Sequence, residues 1–124
     1  VDAAVVDPAA PAVPDPAFDR DWADVLLARA GDRLAAEHAT PGERARYERL
    51  AHFVTTNGTS ASYAAAGALL GLTEGAVKVA VHRLRQRLRD LARSEIAETL
   101  ADPTPEAVED ELRTLIEALA GRTR

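Results

Sequence analysis

With 124 residues and a formal net charge of −5, the chain has length for one domain with tails and none for a large enzyme. Two Phe, two Tyr and one Trp leave a core of Leu, Val and Ala, which suits closely packed helices better than packed sheets, so an all-α fold is expected. The lack of Cys excludes disulfides and thiolate metal sites, and three dispersed His give no ligand spacing, so neither metal nor other cofactor is expected.

No run approaches the roughly 18 apolar residues that span a bilayer, and the start of the sequence lacks a basic-then-apolar signal pattern. No membrane association and a cytoplasmic location are therefore expected. Residues 1–17 contain Pro8, Pro11, Pro14 and Pro16 among Ala, Val and Asp. Such a composition withholds backbone donors and builds no core, so it reads as a proline-rich acidic linker, an extended or disordered arm. Val1 stands where a native chain would begin with Met, which leads us to expect a fragment of a longer protein.

Asp19 is a candidate cap for a first helix, with Trp22, Val25, Leu26 and Leu34 recurring at helical spacing up to about His38. The lone Trp on this stripe reads as core. Thr40, Pro41 and Glu43 make a capping box with proline at the first helical position, predicting a second helix to about Phe53 with Tyr47 and Leu50 inward. His38 and His52 read as surface or capping residues. Residues 55–61, containing Asn57 and Gly58, read as a polar loop. Ser60 or Ser62 then caps a third helix that stops at Gly71.

Thr73 caps a fourth helix, long because Val77, Ala80, Val81, Leu84, Leu88, Leu91 and Ile96 keep one apolar stripe with no breaker before Pro103. Thr104 and Pro105 start a fifth, with Val108, Leu112, Leu115, Ile116 and Leu119 on one side and Gly121 as its stop.

The spacing of Gly67, Gly71, Leu72 and Val77 is that of a helix-turn-helix. Where two short helices cross closely only a small side chain fits, which Gly67 supplies, and Gly71 supplies the left-handed turn. Leu70, Leu72, Val77 and Ala80 are expected at the seam, and Thr73, Glu74, Gly75, Lys78, Val79 and His82 on the opposite side, free to enter a major groove. The plainer reading is an ordinary helical hairpin with a solvated basic face.

Charge distribution favours the first reading. Residues 73–93 carry Lys78, Arg83, Arg85, Arg87, Arg89 and Arg93 against Glu74 and Asp90, a local +4, whereas residues 94–124 carry eight acids against three arginines, a local −5. Arg83, Arg85, Arg87 and Arg89 alternate around the helix, so some reach phosphates or acidic protein while Lys78 and His82 face base edges. No acid–base or nucleophile pattern surrounds His82, so no catalysis is expected.

The run LTEGAVKVAVHRLRQRLRDLARSEIAETLADP, residues 72–103, resembles region 4 of bacterial RNA polymerase sigma factors of the extracytoplasmic-function group. FDRDWADVLLARAGDRLAAEHA, residues 18–39, resembles the segment before that region, and VEDELRTLIEAL, residues 108–119, resembles its tail. The resemblance implies a helix-turn-helix domain over residues 18–101, of about five helices with an acidic helical extension over residues 102–124. It also implies recognition of the minus-35 promoter element, through Thr73, Glu74, Gly75, Lys78, Val79, His82, Arg83 and Gln86. Arg85 and Arg87 would serve phosphates or the polymerase. The partners implied are promoter DNA, the polymerase core at its beta flap and beta prime subunits, and an anti-sigma factor or regulatory kinase.

The family pattern has Glu where Ala65 stands, a bulky aliphatic at Ala66 and Ala at Gly67, which implies looser packing of the first motif helix. Nothing resembles the promoter-melting region 2, which implies either a fragment, the favoured expectation, or a protein that has lost melting activity; the arm, with Asp2, Asp7 and Asp15, then either mimics phosphate charge along the polymerase or is an inert solvated tether. The alternative expectation is a sigma-like protein-interaction module with little DNA reading of its own.

Overall fold

A computed structural model describes residues 16–120 of the chain, with side chains over residues 21–119. The fold is all-helical: α1 Pro16–Ala36, α2 Pro41–Leu50, α3 His52–Thr55, α4 Ser60–Leu70, α5 Glu74–Thr99 and α6 Pro105–Ala120. No single helix among the described residues is long and apolar enough to cross a membrane.

Local chemistry sets most of these boundaries. The Thr40 hydroxyl accepts from the Glu43 amide at 3.2 Å and proline occupies the first turn of α2; Thr73 accepts from Ala76 N at 3.1 Å and Thr104 from Ala107 N at 3.1 Å. The expected second helix is interrupted at Ala51 and continues as the short α3. Two expected caps are corrected. Helix α1 begins at Pro16, within the last two residues of the expected arm over residues 1–17, so Asp19 lies inside the helix; proline's fixed φ suits a first helical position. Helix α4 is capped by Thr59, which accepts from Ser62 N while Ser62 Oγ accepts from Thr59 N, a reciprocal box that needs the pair rather than either serine alone. The expected arm over residues 1–15 and the stop at Gly121 lie outside the described residues.

Two apolar clusters hold the helices. In the larger, Ala23, Leu26, Ala30 and Leu34 of α1 meet Leu91, Ala92 and Ile96 of α5 and Leu112 and Leu115 of α6, with Trp22 packed against them. The buried α1 residues recur at steps of three and four, which leaves Val25 off the stripe and 51% exposed, contrary to expectation. In the smaller cluster, Leu50, Phe53, Ala66, Val77 and Val81 are buried, with Leu70, Leu72 and Ala80 packed around them as expected. Leu84 touches both. Helix α5 is thus the spine: its second half is set in the larger cluster, while its first half is backed by α4 on one side.

Helix α6 is part of this core rather than an appendage to it. Leu112 and Leu115 are buried, whereas Ile116, expected to pack beside them, is 44% exposed. Arg93 of α5 donates from Nε to Glu109 Oε1 at 2.8 Å and from Nη1 to Asp90 at 2.9 Å, joining the two helices at their surface. Between α1 and α5, Arg33 Nη1 meets the buried Glu95 at 2.9 Å.

Candidate nucleic-acid interface

The chain bends through 95° between α4 and α5, within the range of two-helix DNA-binding motifs. Three features of the turn fix that angle. Gly71 takes the left-handed conformation, φ 71°. The Gly67 carbonyl accepts from both the Gly71 and Leu72 amides, the latter at 2.8 Å, closing the end of α4. A Cβ at position 67 would run into the Leu72 carbonyl oxygen and press on Val77. Glycine is therefore required at 67 for the approach of the two backbones, as its spacing in the sequence predicts, and the first motif helix is packed tightly there rather than loosely as the family resemblance implies.

On α5 the buried residues Val77 and Val81 face this seam. Gly75, Lys78, Val79, His82, Arg83 and Gln86 are exposed on the other side; at 100° per residue they fall within an arc of about 140°, wide enough to meet a groove floor and one wall. Thr73 is exposed at the tip, its oxygen occupied as the cap of α5. Glu74 is half-buried and held twice: Ser60 Oγ donates to its Oε1 at 2.7 Å, and Lys78 Nζ pairs with its Oε2 at 2.9 Å. The Ser60 hydrogen bond, followed by that of Lys78, lowers the Glu74 carboxyl below its ordinary value.

Arg85 and Arg87, expected to serve phosphates or a partner, are committed within the domain. Arg85 donates from Nε and Nη2 to the Phe53 carbonyl and from Nη2 to that of Thr56, at 3.2, 2.6 and 3.1 Å, so it closes the end of α3. Arg87 Nε lies 2.9 Å from both carboxylate oxygens of Glu37 and ties α5 to the end of α1. Its hydrogen bond holds the Glu37 carboxyl below the usual glutamate range, and the same contact raises Arg87. With Arg93 also paired, the exposed cations left along this side of α5 are Arg83 and Arg89, which have no ion pair among the described residues, and Lys78, which is exposed but held by Glu74. The local excess of positive charge in the sequence overstates what α5 offers a phosphate backbone.

His82, Arg83 and Gln86 make no polar contact among the described residues. His38 stacks on Tyr47 with ring centroids 4.8 Å apart, and His52 lies 3.9 Å from the Phe53 ring. Burial pushes the Tyr47 hydroxyl up. No group of three or more His, Asp or Glu among the described residues is arranged to hold a metal ion.

Beside α5's exposed arc, an open groove of about 840 Å³ runs between α1, α3 with the segment after it, α5 and α6, lined by Leu27, Val54, Leu88, Leu112 and Ile116 with Arg89 at its edge. Sequence reasoning missed the anchoring roles of Ser60, Glu37 and Glu95. The Ser60 partner lies across a turn, 14 residues on, and Glu37 is 50 residues from Arg87, where no periodic pattern points. Comparison with known protein families, with curated proteins and with solved structures finds no match for this chain.

Proposed function

We propose that this domain binds duplex DNA through the outer face of α5, in the manner of region 4 of an extracytoplasmic-function sigma factor, and so directs RNA polymerase to a minus-35 promoter element. One observation carries the reading: Gly75, Lys78, Val79, His82, Arg83 and Gln86 form one solvent-facing arc on a helix fixed at 95° to its neighbour by a contact that admits only glycine at position 67. Lys78 and Gln86 suit guanine and adenine edges, Val79 a thymine methyl, and Arg83 a phosphate or a base at the rim. Catalysis forms no part of this role.

With three exposed cations along this side of α5, Lys78, Arg83 and Arg89, phosphate contacts contribute modestly, and tethering to polymerase supplies the remaining affinity through effective concentration. Selection from a pool of random duplexes, with the domain alone and with polymerase added, tests the proposal. Enrichment of one short motif is expected, more strongly with polymerase; no enrichment in either arm overturns it.

A second reading, a protein-interaction module for polymerase or an anti-sigma regulator, draws on the groove with its exposed Ile116 and on the internal use of Arg85 and Arg87. It expects binding to polymerase without duplex preference.

A further inference from the structure

Ser60 occupies the first turn of α4, yet it does not cap that helix; Thr59 and Ser62 do so between themselves. The Ser60 hydroxyl instead reaches across to the first turn of α5 and donates to Glu74 Oε1 at 2.7 Å. The other carboxylate oxygen, Oε2, takes Lys78 Nζ at 2.9 Å. Three side chains from two helices thus form one chain of contacts that ends on the lysine at one margin of the exposed arc.

An exposed Glu–Lys pair one helical turn apart is weak and samples many rotamers. A lysine released from it is a mobile point charge that meets any phosphate. A carboxylate anchored at both oxygens has far fewer arrangements, and the ammonium it holds still has two N–H donors to offer O6 and N7 of a guanine. The depressed Glu74 titration fits a carboxylate held in this way.

We propose that Ser60 is a specificity-determining positioning residue: through Glu74 it fixes where the Lys78 ammonium stands, so that the lysine reads a guanine edge rather than sampling phosphates. This rests on the DNA-binding role proposed above.

The test compares wild type, Ser60→Ala and Ser60→Thr for binding to the selected duplex and to the same duplex with each guanine in turn replaced by adenine. Carboxyl NMR follows the Glu74 titration in each protein. For Ser60→Ala we expect the discrimination at one guanine to fall on the order of threefold to tenfold, the net effect of one hydrogen bond. Non-specific affinity, salt dependence and Tm should be unchanged, and the Glu74 midpoint should rise. Ser60→Thr should restore both discrimination and midpoint, and in a Glu74→Gln background Ser60→Ala should add nothing.

Unchanged discrimination in Ser60→Ala overturns the proposal, whether or not the Glu74 midpoint moves. A uniform loss of affinity for all duplexes overturns it as well, since that marks a structural effect. A wild type with no duplex preference fails earlier, before any variant is compared, and removes the DNA-binding role itself.

Discussion

Gly67 and Leu72 are bonded and in contact at the same time: the Gly67 carbonyl accepts the Leu72 amide at 2.8 Å, while the Leu72 carbonyl oxygen occupies the place a Cβ at 67 would need. The obstruction is backbone, which has no rotamer by which to withdraw. Gly67→Ala must therefore push α4 and α5 apart, and we expect a loss of about 1–3 kcal/mol in urea unfolding. Gly71 has open space around it but a φ of 71°, so Gly71→Ala should cost about 1–2 kcal/mol through strain alone. The two differ in kind: Gly67→Ala should also shift amide resonances along the first turns of α5, whereas Gly71→Ala should shift those of the turn.

Arg85 separates a structural arginine from a nucleic-acid contact. Its donors close the Phe53 and Thr56 carbonyls, and Phe53 is part of the smaller cluster. Arg85→Ala should lower stability by about 1–3 kcal/mol, the cost of charge-assisted bonds lost at a half-buried site. It should leave the salt dependence of the proposed DNA binding as it is. A reduced salt slope with unchanged stability would show that the guanidinium serves phosphates instead.

The pairing of Glu37 with Arg87 predicts a pH dependence of definite sign. The Glu37 carboxyl titrates lower in the folded protein than its ordinary value of 4.5 because Arg87 donates to it. Its stabilising effect is complete above the unfolded value and is lost as pH falls through the folded one. Glu37→Gln should therefore melt somewhat lower than wild type at pH 7, with the two Tm values converging below about pH 4. The difference is small, since both groups are well exposed. The upward shift of Arg87 acts only far above neutral pH.

The features legible in the sequence are those written within a few residues. Thr40, Thr73 and Gly71 act on their own helix ends, and the Gly67 to Val77 spacing encodes the crossing because all its members lie on two consecutive helices. The stripe from Val77 to Ile96 placed the long helix for the same reason. What stayed hidden depends on distant chain: the carbonyls that take up Arg85 lie 32 and 29 residues away, and the carboxylate that takes up Arg87 lies 50 residues away. Counting arginines along α5 therefore overestimated its free charge. Ile116 was misjudged because an apolar residue on a helical stripe can sit at the edge of a groove as readily as in the core, and only the positions of α1 and α5 decide which.

The standing of α6 follows from Leu112 and Leu115, 5% and 2% exposed in the larger cluster. Replacing either with Ala should cost about 2–5 kcal/mol, while Ile116→Ala should cost less than about 1 kcal/mol. Chemical unfolding monitored by Trp22 fluorescence reads this directly, because Trp22 packs against the same cluster. If Leu112→Ala left stability unchanged, α6 would be a detachable tail.

Under the proposed DNA-binding role, the outer face of α5 should divide into residues that specify and residues that only attract. Lys78 and Arg83 lie at opposite margins of the arc, but Lys78 is held by Glu74 whereas Arg83 has no ion pair among the described residues, so their removal should differ in kind. Lys78→Ala should cost on the order of 1–3 kcal/mol on the preferred duplex and little on others, relaxing preference at one base pair. Arg83→Ala should weaken all duplexes alike and reduce the slope of log affinity against log salt by about one. Because Arg85, Arg87 and Arg93 are paired within the domain, leaving Lys78, Arg83 and Arg89 exposed, the wild-type slope for α5 contacts should itself be shallow, about −2 to −3. Fluorescence anisotropy with short duplexes across a salt series measures all three quantities. A slope much steeper than this would mean that the internal arginine pairs open on binding, since beyond Lys78, Arg83 and Arg89 those side chains are the nearest further source of positive charge along α5.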